Sequence, residues 1–214
     1  MIKTREEIVI WLADNNIEDY VINEDLSVDV NDVVKLSAHS YENGLLPIQF
    51  GYVSGGFFCQ NSCLLSLVGC PYGVLGSFDC SGNQLSSLEG GPGEVRGGYS
   101  CDNNSITSLR GSPNSIAGDF DCSFNSLVDL RYCPEIVKGG FNCYRNKLDS
   151  LFYLPESVGD EFNCGFNDGL LGEVDFDLLN FAQIKNYISN KNLKESLDRN
   201  LVVESDKRSV GKKI

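Results

Sequence analysis

Six cysteines, Cys59, Cys80, Cys101, Cys122, Cys143 and Cys164, stand 21 residues apart without exception. A strict period of this length confines the chain to a stack of like units, in which neighbours in space are neighbours in sequence. Other positions keep the same beat. Two residues before each cysteine is an aromatic: Phe57, Phe78, Tyr99, Phe120, Phe141 and Phe162. Three after it comes Asn83, Asn104, Asn125, Asn146 or Asn167, with Ser62 in the first unit. Aliphatic residues recur five and eight after, as in Leu85 and Leu88 or Leu127 and Leu130. Proline recurs twelve after, from Pro71 to Pro155, and valine or isoleucine fifteen after, from Val74 to Val158. The unit reads V-x-G-x-F-x-C-x-x-N-x-L-x-x-L-x-G-x-P.

Each part has a physical reason. An aromatic and a cysteine two residues apart alternate like a strand, so both point inward and their neighbours point outward. An asparagine just past the strand can bond backbone groups of the neighbouring turn that the bend would leave unpaired. The two aliphatic positions return the chain to the core, and proline and glycine turn it again. One such unit cannot bury its apolar side alone, whereas stacked units can.

Cysteine in strict register at a core position acts as a small buried hydrophobe. Disulfides between stacked rungs would require an oxidising compartment. No CxxC pair exists and His39 is the single histidine, so neither a metal centre nor a cofactor is expected. Cys63, Cys70 and Cys133 fall off register, and none has a histidine near it in sequence to activate it.

The formal net charge is −13, and it is unevenly spread. Residues 1–33 carry nine acids and two bases, residues 34–173 fifteen and seven, and residues 174–214 six and eight. An acidic body opposes direct nucleic-acid binding, which needs clustered Lys and Arg. It fits a partner with a basic patch, or mimicry of a polyanion, and it also serves solubility alone. No apolar stretch is long enough for a membrane span, and acids interrupt MIKTREEIV before a signal-peptide core forms. A cytoplasmic protein is expected, with its oligomeric state open.

The segments CSGNQLSSL, CDNNSITSL, CSFNSLVDL and CYRNKLDSL resemble the leucine-rich-repeat signature L-x-L-x-x-N-x-L, with Phe at the first aliphatic position and Cys at the second. The period matches the short bacterial class of these repeats. The chain is also similar, over about residues 5–172, to a group of proteins encoded by tailed bacteriophages. These carry repeats of the type FDCSxNxLxSLEGxPxxVGG behind a segment much like IVIWLADNNIEDYVINEDLSVDVNDVV. The resemblance implies a leucine-rich-repeat solenoid with a parallel β-sheet on its concave face, short irregular convex segments and α-helical caps at both ends. Ser62 departs from the pattern, and Gly169 and Gly172 replace both leucines of the last unit.

The expected organisation is an N-terminal cap over 1–33, a solenoid over 34–173, a C-terminal helical cap over 174–204 and a flexible basic tail over 205–214. The solenoid has one stretched turn, with Val34 and Leu36 at the aromatic and cysteine places, then six 21-residue turns. Thr4 and Glu7 form a capping box that starts a helix to about Asp14, with Ile8, Trp11 and Leu12 on one face. YVIN and SVDV read as a short hairpin. Leu178, Phe181, Ala182, Ile184 and Ile188 recur at helical spacing, and Leu193, Leu197 and Leu201 mark a second helix.

Function is expected on the outward positions flanking the cysteines, which vary while the core positions do not. The candidate partner-binding residues are Phe58, Asp79, Asp102, Asp119, Asp121, Asn142, Tyr144, Glu161 and Asn163, an acidic row with aromatic anchors and no base among them. Phe124 and Phe166, two after a cysteine, are either packed under the bend or exposed. The sequence offers no nucleophile–histidine pair, phosphate loop or metal-ligand cluster, so no catalytic residue is named. The expectation is a non-enzymatic module that binds a host protein, a defence protein among the candidates, and blocks it sterically. The alternative is a DNA mimic that inhibits a host nucleic-acid-binding enzyme.

Overall fold

The computed structural model describes residues 2–170 and 180–192. Two compact units divide the chain, residues 1–177 and 178–214.

The first unit is a parallel β-solenoid of about six turns, each with two short strands. The aromatic rung forms one seven-stranded sheet, running from Val34–Lys35 through Phe57–Phe58, Phe78–Asp79 and its repeats to Phe162–Asn163. Its register is the sequence period: Phe57 pairs with Phe78, Phe78 with Tyr99, and so on to Phe162, with no shift. Val34 pairs with Phe57, and the Leu36 N–H bonds the Phe58 carbonyl, so the stretched turn enters the sheet as its spacing predicts.

The expected irregular return segments instead carry a second sheet. It has eight strands, from the hairpin Tyr20–Ile22 and Val28–Val30, through Phe50–Val53 and Gly73–Val74, to Ser157–Val158. Valine or isoleucine fifteen residues after the cysteine anchors it; Val74, Val95, Ile116 and Val137 are at most 3% exposed, and Val158 is half-buried. β-Branched side chains suit such a pleated surface. Strands of two residues are too short to display alternation, so this periodicity is invisible in the sequence.

Between the two sheets the backbones of successive turns stack on glycine. A Cβ on Gly97 would lie 2.7 Å from the Gly76 carbonyl carbon, and one on Gly76 would lie equally close to Gly55. Glycine suits this close approach, and it holds the place from Gly55 to Gly139.

Inside, the rings form one column. Trp11 meets Phe50 edge-on at 6.0 Å, Phe50 meets Phe57 at 5.1 Å, and Phe57, Phe78, Tyr99, Phe120, Phe141 and Phe162 follow at 5.0–5.8 Å. Burying each ring contributes about 2–3 kcal/mol, and ring pairing adds about 1 kcal/mol. All nine cysteines are free. The six in register are buried, and the thiols of Cys80, Cys122 and Cys143 donate to the carbonyls of Ser100, Asn142 and Asn163 one turn on, at 3.3–3.4 Å.

The asparagines tie the turns together. Asn125 Oδ1 accepts the Ile106 N–H at 2.9 Å, and its Nδ2 donates to the Cys101, Cys122 and Ser123 carbonyls. Asn83, Asn104, Asn146 and Asn167 repeat this bridge. Each asparagine serves the turn before it. Ser62 follows the stretched turn, and its hydroxyl bonds the Gln60 carbonyl within its own turn.

At the N-terminus, helix Arg5–Asp14 buries Ile8 and Leu12. Thr4 accepts the Glu7 N–H at 3.2 Å, while the Glu7 carboxylate takes the N–H of Lys3 rather than of Thr4, so the capping box is half formed. The hairpin pairs antiparallel and joins the eight-stranded sheet through Val28–Val30.

The second unit contains a helix over residues 181–192. Asn180 and Gln183 cap it reciprocally, each side chain accepting the other's backbone N–H at 3.0 Å, and Ile184 is buried. The Leu193, Leu197 and Leu201 stripe and the tail from Ser205 lie outside the described residues. No helix among the described residues is long and apolar enough to cross a membrane.

Candidate functional site

The expected surface is the outward side of the seven-stranded sheet. Its acids and amides are less free than their residue types suggest. Asp79 Oδ1 accepts the Ser81 N–H and hydroxyl at 2.9 and 2.6 Å, and Asp121 Oδ1 accepts the Ser123 N–H at 2.9 Å. Asn142 and Asn163 make the same bond, each at 3.1 Å, to the N–H of Tyr144 and Gly165. Where the place before the cysteine is Asp or Asn, its side chain therefore holds the backbone two residues on, a local bond that the two residue types share. Asp102 is engaged by the Ser100 hydroxyl at 2.6 Å and by Asn103. Phe58 is half-buried, with its ring folded over Gly56, where a Cβ would lie 2.5 Å from it.

Five of the nine candidates meet. Asp119, Asp121, Asn142, Glu161 and Asn163 line a shallow depression of about 350 Å³, together with Asp160. Asp119 is exposed and accepts the Gly140 N–H at 2.8 Å through one oxygen. Asp160 was not among the expected residues. Its signal was a break in the glycine column: it stands where Gly55, Gly76, Gly97, Gly118 and Gly139 stand in earlier turns. Asp79, Asp102 and Phe58 belong to earlier turns and do not line the depression.

Tyr144 belongs to an adjoining cluster. Its ring lies 5.6 Å from Phe124 and 5.1 Å from Phe166, and the Arg145 guanidinium sits 5.3–5.6 Å from all three rings. Phe124 is 42% exposed and Phe166 63%, which settles the choice between burial under the bend and exposure. Asn142 joins cluster to depression, since it lines the one and holds the backbone of Tyr144 in the other.

The backbone at this cluster is unusual. Two residues after every cysteine the chain turns left-handed: Asn61, Gly82 and Asn103 in three turns, then Phe124, Arg145 and Phe166 at φ of +51° to +54°. Asparagine and glycine take this conformation readily, whereas phenylalanine and arginine lose about 1 kcal/mol or more each. The last three turns place large side chains where the first three place small ones.

Among the described residues no group of three or more His, Cys, Asp or Glu is arranged to hold a metal ion. No family model, curated protein or solved structure matches the chain.

Proposed function

We propose that the chain is a non-enzymatic protein-binding solenoid of the leucine-rich-repeat type, whose contact surface is the outer face of its last three aromatic rungs. One observation carries the reading. Phe124, Arg145 and Phe166 occupy strained left-handed positions while remaining exposed, and three earlier turns fill the same place at no strain. Strain held at an exposed aromatic cluster has no use inside the fold and fits an interface anchor. The neighbouring depression, with Asp119, Asp121, Asp160 and Glu161 on its walls, complements a basic patch on the partner.

The finer reading of the N-terminus follows the same logic. Trp11, Ile8 and Leu12 continue the apolar column beyond Phe50, as an N-terminal cap would. The resemblance to phage proteins adds a setting: a factor made in the host cytoplasm that binds a host protein, a defence component among the candidates, and obstructs it sterically. Acidic walls also suit a DNA mimic, the second reading, though Arg145 at the centre of the cluster opposes it.

The test is capture from host lysate by the full chain and by a variant carrying Asp121→Asn and Tyr144→Ala. Asparagine at 121 keeps the bond to the Ser123 N–H and removes the charge, so the fold is retained. Loss of the captured protein in the variant is expected, and undiminished capture overturns the reading. Displacement of that protein by duplex DNA would favour the mimic.

A further inference from the structure

A second set of positions changes character in the same turns, on a different part of the solenoid. Ten residues after the cysteine the chain carries Gly69, Gly90 and Gly111, all left-handed, and then Tyr132, which keeps the left-handed backbone at φ +67°. Tyr153 follows at the same place one turn on. Three residues further along, the corresponding column reads Tyr72, Gly93 and Asn114, then Glu135 and Glu156. Aromatic and acid thus enter together, as Tyr132 with Glu135 and Tyr153 with Glu156.

The four side chains line one depression of about 420 Å³. Tyr132 is 62% and Tyr153 49% exposed. Parallel strands set the two turns about 4.8 Å apart, so the depression gathers two tyrosines and two glutamates from neighbouring turns. The Tyr153 ring already carries a cation. The Arg131 guanidinium, tied to Asp129 at 2.7 Å, lies 5.3 Å from its centroid.

Electron-rich rings and carboxylates in one depression select an organic cation over a neutral or anionic group, and an ammonium on an alkyl stem can meet both kinds of group. We propose that this depression seats a lysine side chain of a partner protein. The proposal rests on the reading of the chain as a protein-binding module, and adds a second contact point away from the seven-stranded sheet. Left-handed Tyr132 supports it as Phe124 and Phe166 support the first. Glycine satisfies the backbone in three earlier turns, and tyrosine here adds only what its ring can do outside.

The full chain, with labelled tyrosine rings, is titrated by NMR with the peptide acetyl-Gly-Lys-Gly-amide. The ring signals of Tyr132 and Tyr153 are expected to move, with half-saturation of roughly 1–10 mM, as befits one isolated side chain. The same peptide acetylated on the lysine Nε has lost its charge and should bind at least about tenfold more weakly. Equal shifts from both peptides, or from neither, overturn the proposal. Shifts from tetramethylammonium chloride without shifts from the lysine peptide overturn the lysine assignment in favour of a small quaternary ammonium. Tyr132→Gly restores the residue of three earlier turns, so the fold should hold and lysine affinity should drop about tenfold; unchanged affinity at the Tyr153 signal overturns the proposal. Phe166→Asn, on the sheet face, should leave this titration unaltered, so loss of the lysine seat and loss of the sheet-face reading register in separate measurements.

Discussion

The side-chain oxygen of Asn125 accepts the backbone N–H of Ile106, one turn back, at 2.9 Å. The same amide donates to carbonyls in both turns, those of Cys101 and Cys122. Asn125→Ala removes acceptor and donor together and strands buried backbone groups, so a loss of about 3 kcal/mol is expected in urea unfolding. Asn125→Asp keeps the acceptor but cannot donate, and brings a carboxylate against the Cys101 and Cys122 carbonyls. It should be at least as damaging. A tolerated aspartate would mean that the carbonyl bonds contribute little to stacking.

Phe166 and Phe124 should be stabilised by replacement. Left-handed phenylalanine is disfavoured by about 1–2 kcal/mol. The exposed contacts with Arg145 return about 0.5–1 kcal/mol. Phe124→Gly and Phe166→Asn, which copy Gly82 and Asn103, should therefore raise the unfolding midpoint slightly, by up to about 1 kcal/mol each, while weakening partner capture. A clear fall in stability would show that the cluster is structural and would remove the argument for an interface there.

Much of this architecture is legible in the sequence because the repeat acts as its own alignment. Phe78, Cys80 and Asn83 recur in fixed register, and their burial and bonds follow from that register alone. The eight-stranded sheet was not legible: two residues such as Glu94 and Val95 show no alternation, and one buried valine per turn reads as part of a bend. The roles of Asp79 and Asp121 were hidden for another reason. Their bonds to the N–H groups of Ser81 and Ser123 are local geometry, which residue type alone does not reveal. Asp160 and Tyr132 could have been found. Each breaks a column that earlier turns keep as glycine, and a break toward a large or charged residue at a glycine place is a functional signal in a repeat protein.

Tyr99 offers a separate test of the core. It alone among the six repeat-column rings carries a hydroxyl, and that hydroxyl is buried without a hydrogen-bond partner. It points toward Gly91, where an added Cβ would lie 3.2 Å away. Burying an unpaired hydroxyl costs about 1–3 kcal/mol. Tyr99→Phe should therefore stabilise the chain by about 1 kcal/mol or more, read as a higher urea midpoint at unchanged slope. An unchanged or lower midpoint would mean that the hydroxyl is satisfied in solution.

The buried thiols predict how stability varies with pH. Burial pushes Cys80, Cys101, Cys122 and Cys143 well above the ordinary thiol range, with neighbouring thiols and carboxylates adding to the effect. Burial likewise raises Cys133 to about 12. In the unfolded chain these groups ionise near pH 8.5–9, at roughly their ordinary value. Below that range folded and unfolded states hold the same thiol protons, and the thiols leave stability unchanged with pH. Above it the unfolded state releases protons that the folded state retains, so stability falls as pH rises toward the folded values. Each such thiol contributes a slope of up to about 1.4 kcal/mol per pH unit. Urea midpoints should accordingly be level from about pH 7 to 8 and drop steeply between about pH 9 and 11. Cys122→Ser, which removes one titrating group from the column, should reduce that slope by about one proton per molecule. A midpoint that stays level to pH 11 would mean that the thiols reach solvent in the folded state, and that the cysteine column is not the sealed core element its register implies.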